Sequence, residues 1–599
     1  MRHGIGRPRP KRWWGDVAGI GLAMLVIGGP ALFTRNGFMY DFTNHLWFVF
    51  VQEQAISRHL VPTYYLNAPV VGAFYPFFVF YGGTLYAATG ALAALIAGHV
   101  TVAYVGASLL AIAAAYGGLL WLARQLGVRS WMAHAPAITF VAGAYYVTNL
   151  YGRGAWPEFM ATSMIPLLVA SGWRVARAPR IEVVPATLFV IATVLFAGSH
   201  NITLLFGSLS LIGGLILLRI ALGREVAAVD AGRLLRIAIL LALAVAVDAW
   251  FLLPDVVHQG STVIATDPGV SWHATSFFDT PAVLFDPLRT VPRQSTSPGL
   301  FVQAPDWFLL WVLIAGAVLW RRAGRALRRV GVALLLLLAV FLIGIMVGPV
   351  WDHVPRTLQQ IQFPYRLNTY LDLTAAGLVL AAVIAIERSA PPRIALRLRY
   401  GLGAATAISL ALCVWQLSVP NTDAPLSYRN RDAVLGSPHV TPRTWYDPGV
   451  YNDASQPIVA TPTRSLLIDP TRISGNALTL TVTPPPGAAP FATNIAGAPY
   501  LLSVRGGLVR VGRTIRGLSV LRRRVPGRGP VTIALGPGGG ALTIGRDITL
   551  LAIVVLLALL IGGIVASRRR GRSGAGGGGP DQGRRARTAT EKAAARALP

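Results

Sequence analysis

One cysteine, Cys413, stands in the whole chain. An intrachain disulfide is therefore excluded, and with it any cysteine-built metal site. Acidic residues are scarce too, 24 against 53 Lys and Arg, and charged residues of both signs make up only 13%. A soluble domain carries roughly 25%. Zinc-ligand spacing and the aromatic motifs of RNA-binding modules are missing. The net charge of +29 thus lacks the footprint of a nucleic-acid-binding surface, and no nucleic acid partner is expected.

Apolar residues are what the chain has in abundance. They make up 54% of it and come in long blocks without an amphipathic period. Blocks of roughly 20 such residues span a bilayer. In lipid the backbone must bond internally, so these blocks read as helices. The cations, nearly all Arg, sit in short loops between blocks, which is the orientation signal of membrane proteins. The basic N-terminus (Arg2, Arg7, Arg9, Lys11, Arg12) precedes an apolar run from Val17 to Phe33. It reads as a retained first helix with a cytoplasmic N-terminus, not a removed signal peptide.

Threading the blocks so that every basic loop falls on one side gives about twelve spans. They are placed at 17–34, 100–123, 133–149, up to 173, up to 198, on to 219, up to 254, 305–320, 331–349, 369–386, 402–418 and 548–567. The apolar block 78–97 is left at the interface or re-entrant, because a span there would put Arg124–Arg129 outside. Four regions follow. Residues 1–418 form a transmembrane module with eleven spans. Residues 419–546 form an external β-rich domain, on the alternation in Leu478–Val482, Leu508–Val511 and Val531–Ile533. Residues 547–568 are the last helix, and 569–599 a disordered cytoplasmic Arg/Gly tail. The expected class is an all-α polytopic protein of the cell membrane with a small β-rich domain before its last helix. Both termini are expected in the cytoplasm.

Ionisable residues at membrane depth are costly and therefore functional candidates. The acids and His gather on the external side. Asp41, Asn44 and His45 share one face if Asp41 opens a helix, although an Asp there is also a helix cap. Tyr151-Gly-Arg-Gly-Ala-Trp-Pro-Glu158 offers Arg153 between glycines that allow close backbone approach, and Glu158 entering a span; a plain turn with an interfacial Trp is the other reading. His200-Asn201 ends a span, as ligand or as structure. Arg366 stands at the membrane surface in Gln362-Phe-Pro-Tyr-Arg366, suited to bidentate phosphate recognition or to interfacial anchoring. Asp248, inside the seventh span, gets no assigned role.

These pieces resemble a known group. Asp41-Phe-Thr-Asn-His-Leu-Trp47, Tyr75-Pro-Phe-Phe-Val-Phe-Tyr81, Tyr151–Phe159, Ser199-His-Asn201 and Phe363-Pro-Tyr-Arg366 stand in the order found in the bacterial membrane proteins called 6-pyruvoyl-tetrahydropterin synthase-related. More distantly they are similar to the GT-C superfamily of membrane glycosyltransferases. Nothing looks like a soluble pterin enzyme. The GT-C resemblance implies transfer of a sugar from a polyprenyl-phosphate donor to a cell-envelope glycan or lipid acceptor at the external face. It implies Asp41 as the base and Glu158 as a second acid that binds metal or orients the acceptor. A divalent cation (Mg or Mn) would then fall among Asp41, Glu158 and His200. Asn44, His45, Arg153, His200, Asn201 and Arg366 are the expected substrate-binding residues. The first loop lacks the acid pair of better-known GT-C enzymes, since Phe42 follows Asp41. The alternatives are a transporter or flippase for lipid-linked glycans and a glycan assembly protein, neither of them an enzyme.

Overall fold

The computed structural model describes residues 10–33, 41–68, 71–223, 230–261, 308–359, 361, 363–389, 392–418, 457–459, 464–514 and 517–575. Among these residues, eight helices are long and apolar enough to cross a membrane. The pair Ala231–Val247 and Ala249–His258, bent by 77°, makes a ninth if it is counted as one span. The chain is therefore a multi-pass membrane protein, with fewer such helices than the dozen expected. Three expected spans fall short for visible reasons. The block 133–149 breaks into helices Ala135–Val141 and Ala144–Val147 at Ala142-Gly143 and then widens into a π turn, Thr148–Gly152. Helix Val183–Ser199 has only 17 residues, and the described part of the other, Phe308–Arg322, has 15. Block 78–97 forms one turn at Phe77–Phe80 and a helix of 13 residues, Gly83–Leu95, and neither is long enough to span.

Burial sorts the helices by position. Asn368–Ser389 is buried nearly all round, with Leu371, Ala375, Val379, Val383 and Ala385 fully enclosed. Asn201–Leu222 and Gly540–Ala575 instead turn Leu215, Ile220, Leu551 and Val554 outward. An apolar exterior is stable only where the solvent is itself apolar. Close helix approach comes from small residues. A Cβ on Gly118 would meet the backbone of Pro166 and Leu167, so Val100–Gln125 and Trp156–Arg177 pack backbone to backbone there.

At one end of the bundle the basic loops are tied together by acids. Arg124 holds Asp16 at 2.6 and 3.1 Å. Glu387 accepts from the backbone N–H groups of Arg129 and Ser130. Arg174 pairs with Glu182, and Arg388 donates to the Leu126 carbonyl.

The opposite end carries the β structure. Strands β1 (Leu66–Ala68), β2 (Gly72–Tyr75), β3 (Ser465–Leu466), β5 (Phe491–Ala496), β7 (Leu508–Arg513) and β8 (Leu518–Arg523) form one mixed sheet. Strands β4 (Leu478–Val482), β6 (Leu502–Gly506) and β9 (Val531–Pro537) form a second, in the order β4-β9-β6. The three alternating runs are thus strands β4, β7 and β9, and Phe491, Ile495, Leu501, Leu508, Leu521 and Ile533 fill the core between them. The expected boundary at 419 lies outside the described residues, but the β structure takes in more than the stretch after it. Hairpin β1–β2 comes from the first loop and joins the sheet through the parallel pair Ala73↔Ile495. Gly72 makes this approach possible, because its φ is +82° and a Cβ there would strike the Asn494 carbonyl. The Asn476 side chain bonds the Tyr64 N–H and the Pro62 carbonyl, and Tyr65 donates to the Leu501 carbonyl at 2.6 Å. The last helix, Gly540–Ala575, starts eight residues before the expected span and runs past its end.

Candidate functional site

The site is built on the break before helix Trp156–Arg177. The π turn folds the chain back so that the Arg153 N–H donates to the Thr148 carbonyl at 2.8 Å. Gly154 takes a φ of +67°, and Pro157 then suits the first helical turn. Trp156 fixes the entry: its ring stacks on Tyr104 at 4.4 Å and its indole N–H donates to Ser108. Glu158 consequently sits in the first turn, where the helix dipole favours a carboxylate.

Glu158 is buried, 2% exposed, and its carboxylate is crowded with donors. Oε1 accepts from the Tyr145 hydroxyl at 2.7 Å and from Asn149 at 3.3 Å. Oε2 accepts from Arg153 at 3.0 Å. Arg366 Nε lies 3.2 Å from the same oxygen, an ion pair and not an aligned hydrogen bond. Arg366 stands on the 3-10 turn Pro364–Leu367 and donates to the Ile361 carbonyl. Phe363 and Tyr365 stack at 5.2 Å on either side of Pro364. Arg153 lies 5.3 Å from the Tyr365 ring and Arg366 4.9 Å from the Phe363 ring. Each guanidinium is therefore held by a carboxylate and by an aromatic face, a combination that a planar guanidinium meets better than a Lys ammonium.

His200 lies between helices Val183–Ser199 and Asn201–Leu222 in extended backbone and caps the second. The Thr203 N–H donates to its Nδ1 at 3.2 Å, and the Thr203 hydroxyl lies 2.8 Å away. Nδ1 is thus an acceptor, which leaves the proton of the neutral ring on Nε2. Burial, then the Arg366 charge, pushes His200 down to about 3. His45 behaves alike: burial, then His200 and Arg153, brings it down to about 3. His45 bonds the Tyr86 hydroxyl at 2.6 Å, and Tyr81 lies between the two imidazoles at 6.2 and 6.1 Å. A small cavity lined by Glu158, Thr162, Thr203, Arg366, Thr369 and Tyr370 opens beside the cluster.

Of the expected residues, Arg153, Glu158, His200 and Arg366 converge, with His45 one ring away. Asn44 is buried one position before His45. Asn201 turns elsewhere and donates to the Phe80 carbonyl and to Asp255 at 2.7 Å. Asp41 opens helix Asp41–His59, but its side chain lies outside the described residues. Asp248 joins the two halves of the bent helix pair. It sits at the 77° break and accepts from Thr84 at 2.6 Å. No group of three or more His, Cys, Asp or Glu suited to a metal occurs among the described residues. Tyr145, Asn149 and Tyr365 complete the cluster and were missed. Tyr145 and Asn149 precede the first motif and Tyr365 stands within the second, and that proximity was the one signal for them.

No protein-family model and no curated protein matches the chain. Among solved structures it is similar to the arabinofuranosyltransferase AftD from Mycobacteria, at 16% identity and a TM-score of 0.39, over 69% of this chain and 27% of that one. It is similar to the oligosaccharyltransferase of Archaeoglobus fulgidus at 11% identity and a TM-score of 0.42, over 76% and 63%. For ArnT from Cupriavidus metallidurans the figures are 12%, 0.32, 72% and 78%. The chain thus spans about a quarter of the first and under two-thirds of the second. All three scores fall below 0.5, and the reading of this chain rests on its own site.

Proposed function

We propose that the chain is a membrane glycosyltransferase of the GT-C kind. It moves a sugar from a polyprenyl-phosphate donor to a cell-envelope acceptor at the external membrane face, the end opposite the basic loops. One observation carries this reading: two buried guanidiniums converge on a single carboxylate oxygen at that end. Such a pair is pre-organised for a phosphate, which planar guanidiniums meet with paired N–H bonds. In the transfer, an acceptor oxygen forms a bond to the anomeric carbon while the bond from that carbon to the phosphate oxygen breaks. The acceptor proton passes to a base, and the departing phosphate keeps the electron pair. Arg153 and Arg366 stabilise the charge that develops on the phosphate. Asp41 is the proposed base, one helical turn before the buried Asn44 and His45.

Glu158 takes a different part from the second acid of the resemblance. Its oxygens are engaged by Arg153, Arg366, Tyr145 and Asn149, so it orients the arginines and is poorly placed to hold a cation. With its Nδ1 accepting from Thr203 and its Nε2 carrying the proton, His200 offers no lone pair to a cation either. Asn44, His45 and His200 line the approach to the donor, and Asn201 positions the helix that carries His200.

Membranes containing the chain, supplied with labelled polyprenyl-phosphate sugars, test the reading. Arg366→Gln should lower transfer by about 100-fold, as the loss of one transition-state donor does. Equal transfer by wild type, Arg366→Gln and Asp41→Asn would end the assignment. The 77° helix break at Asp248 favours the second reading, a transporter of lipid-linked glycans, because discontinuous helices mark many transporter sites. Lipid-linked sugar crossing liposomes without transfer would establish it instead.

A further inference from the structure

The β structure ends, far from the helices, in a rim of arginines. Residues 470–546 contain no Asp or Glu at all. The strands share an orientation. At one end Asn476, Ile495 and Leu501 meet the first loop, and β9 leads from Pro537 into the last helix at Gly540. At the other end lie the loops 483–490, 506–507 and 524–530. There Arg505, Arg522, Arg524 and Arg528 are exposed, and Arg464 is exposed beside them with its guanidinium on the Pro486 carbonyl. Asp469, the nearest acid before this stretch, sits at the opposite end, next to Ile468 and its bonds to Asn494.

The rim is built, not loose. The buried Arg523 donates to the carbonyls of Pro484, Pro485 and Gly529, at 3.0, 3.2 and 2.6 Å. Gly487 N–H bonds the Gly527 carbonyl at 3.2 Å. Arg524 is tied to loop 506–507 through its backbone N–H and its Nε. Two proline-containing loops are thus clamped together under the exposed cations.

We infer that this rim binds a polyanionic chain, a polymer bearing repeated phosphate or carboxylate groups, on the same side of the membrane as the buried arginine cluster. Two arguments select a polymer over lipid. Seven residues of β9 put the rim about 20 Å from the start of the last helix, and charges separated by more than about 8 Å are largely screened at physiological salt. Several guanidiniums on one rigid edge also gain most from a ligand that meets them together, because each contact after the first is intramolecular. The inference stands apart from the transferase reading, since none of these arginines touches the buried cluster.

The test uses the full chain in nanodiscs of neutral lipid and long-chain inorganic polyphosphate as probe, with monophosphate and phosphatidylglycerol vesicles as separate arms. Wild type should bind polyphosphate with strong salt dependence and monophosphate hardly at all. The triple change Arg522→Ser, Arg524→Ser, Arg528→Ser should weaken polyphosphate binding at least about tenfold at low salt, and the triple change to Lys should restore most of it. Asp41→Asn, the change at the proposed base, should bind polyphosphate like wild type, so that failure of transfer and failure of rim binding are told apart. Equal polyphosphate binding by wild type and the Ser variant overturns the inference. So does rim-dependent binding to vesicles alone, or to an acidic protein but not to polyphosphate.

Discussion

Two of the uses this molecule makes of arginine are opposites. Arg153 and Arg366 are buried against one carboxylate and two aromatic rings. Arg522, Arg524 and Arg528 stand in water at the β rim. A buried charge costs several kcal/mol to desolvate and must be met by partners of fixed geometry. An exposed one costs little and acts through the field that it adds to its neighbours. The same side chain therefore reports on architecture in one place and on association in the other.

The sharpest way to break this contrast is Glu158→Ala. It removes the carboxylate shared by both buried arginines and should cost about 3–5 kcal/mol, read as a fall in thermal stability in detergent. A loss no larger than that of a rim variant would show that the two settings do not differ. The next effect is one of pH. His45 and His200 are held at about 3 against an ordinary value of 6.5. Their rings stay neutral in the fold while the unfolded chain takes up protons below 6.5. Stability should thus be full above pH 6.5 and decline from there toward pH 3. Thermal inactivation measured between pH 7 and pH 4 should show that slope, and His200→Gln should make it shallower; an identical slope in the variant counts against a buried neutral His200. A smaller change is expected of Tyr145→Phe, about 1.5–3 kcal/mol for the hydrogen bond to a charged acceptor, with transfer reduced because Glu158 and Arg153 both lose a contact. Unchanged transfer would place Tyr145 outside the site. Least of all, Arg528→Ser should shift stability by under about 0.5 kcal/mol, and a larger loss by the same melting assay would mean that the rim is part of the core.

Much of the buried cluster was legible because isolated polar residues in an apolar chain have few innocent explanations. Arg153, Glu158, His200 and Arg366 were each visible in this way, and the structure brings them together. For Asn201 the sequence cannot say which way a side chain turns at a helix start; here its amide donates to Asp255. Tyr145 and Tyr365 were hidden among many interfacial aromatics, and only the π turn and the 3-10 turn bring them to Glu158 and Arg153. The block 133–149 read as one helix because hydropathy sees an apolar block whether or not Ala142-Gly143 breaks it. The β strands were readable from alternation. Hairpin β1–β2 was not, since its pairing depends on a partner strand far along the chain.

That pairing has a consequence for how the protein is made. Ala73 meets Ile495, so 422 residues must be synthesised between one half of the contact and the other. At 5–20 residues per second the hairpin waits for about 20–80 seconds, its sheet edge open to any other strand nearby. Nearly every membrane helix is inserted during that interval. The sheet can close only on a chain that has delivered both strands to the same side of the membrane.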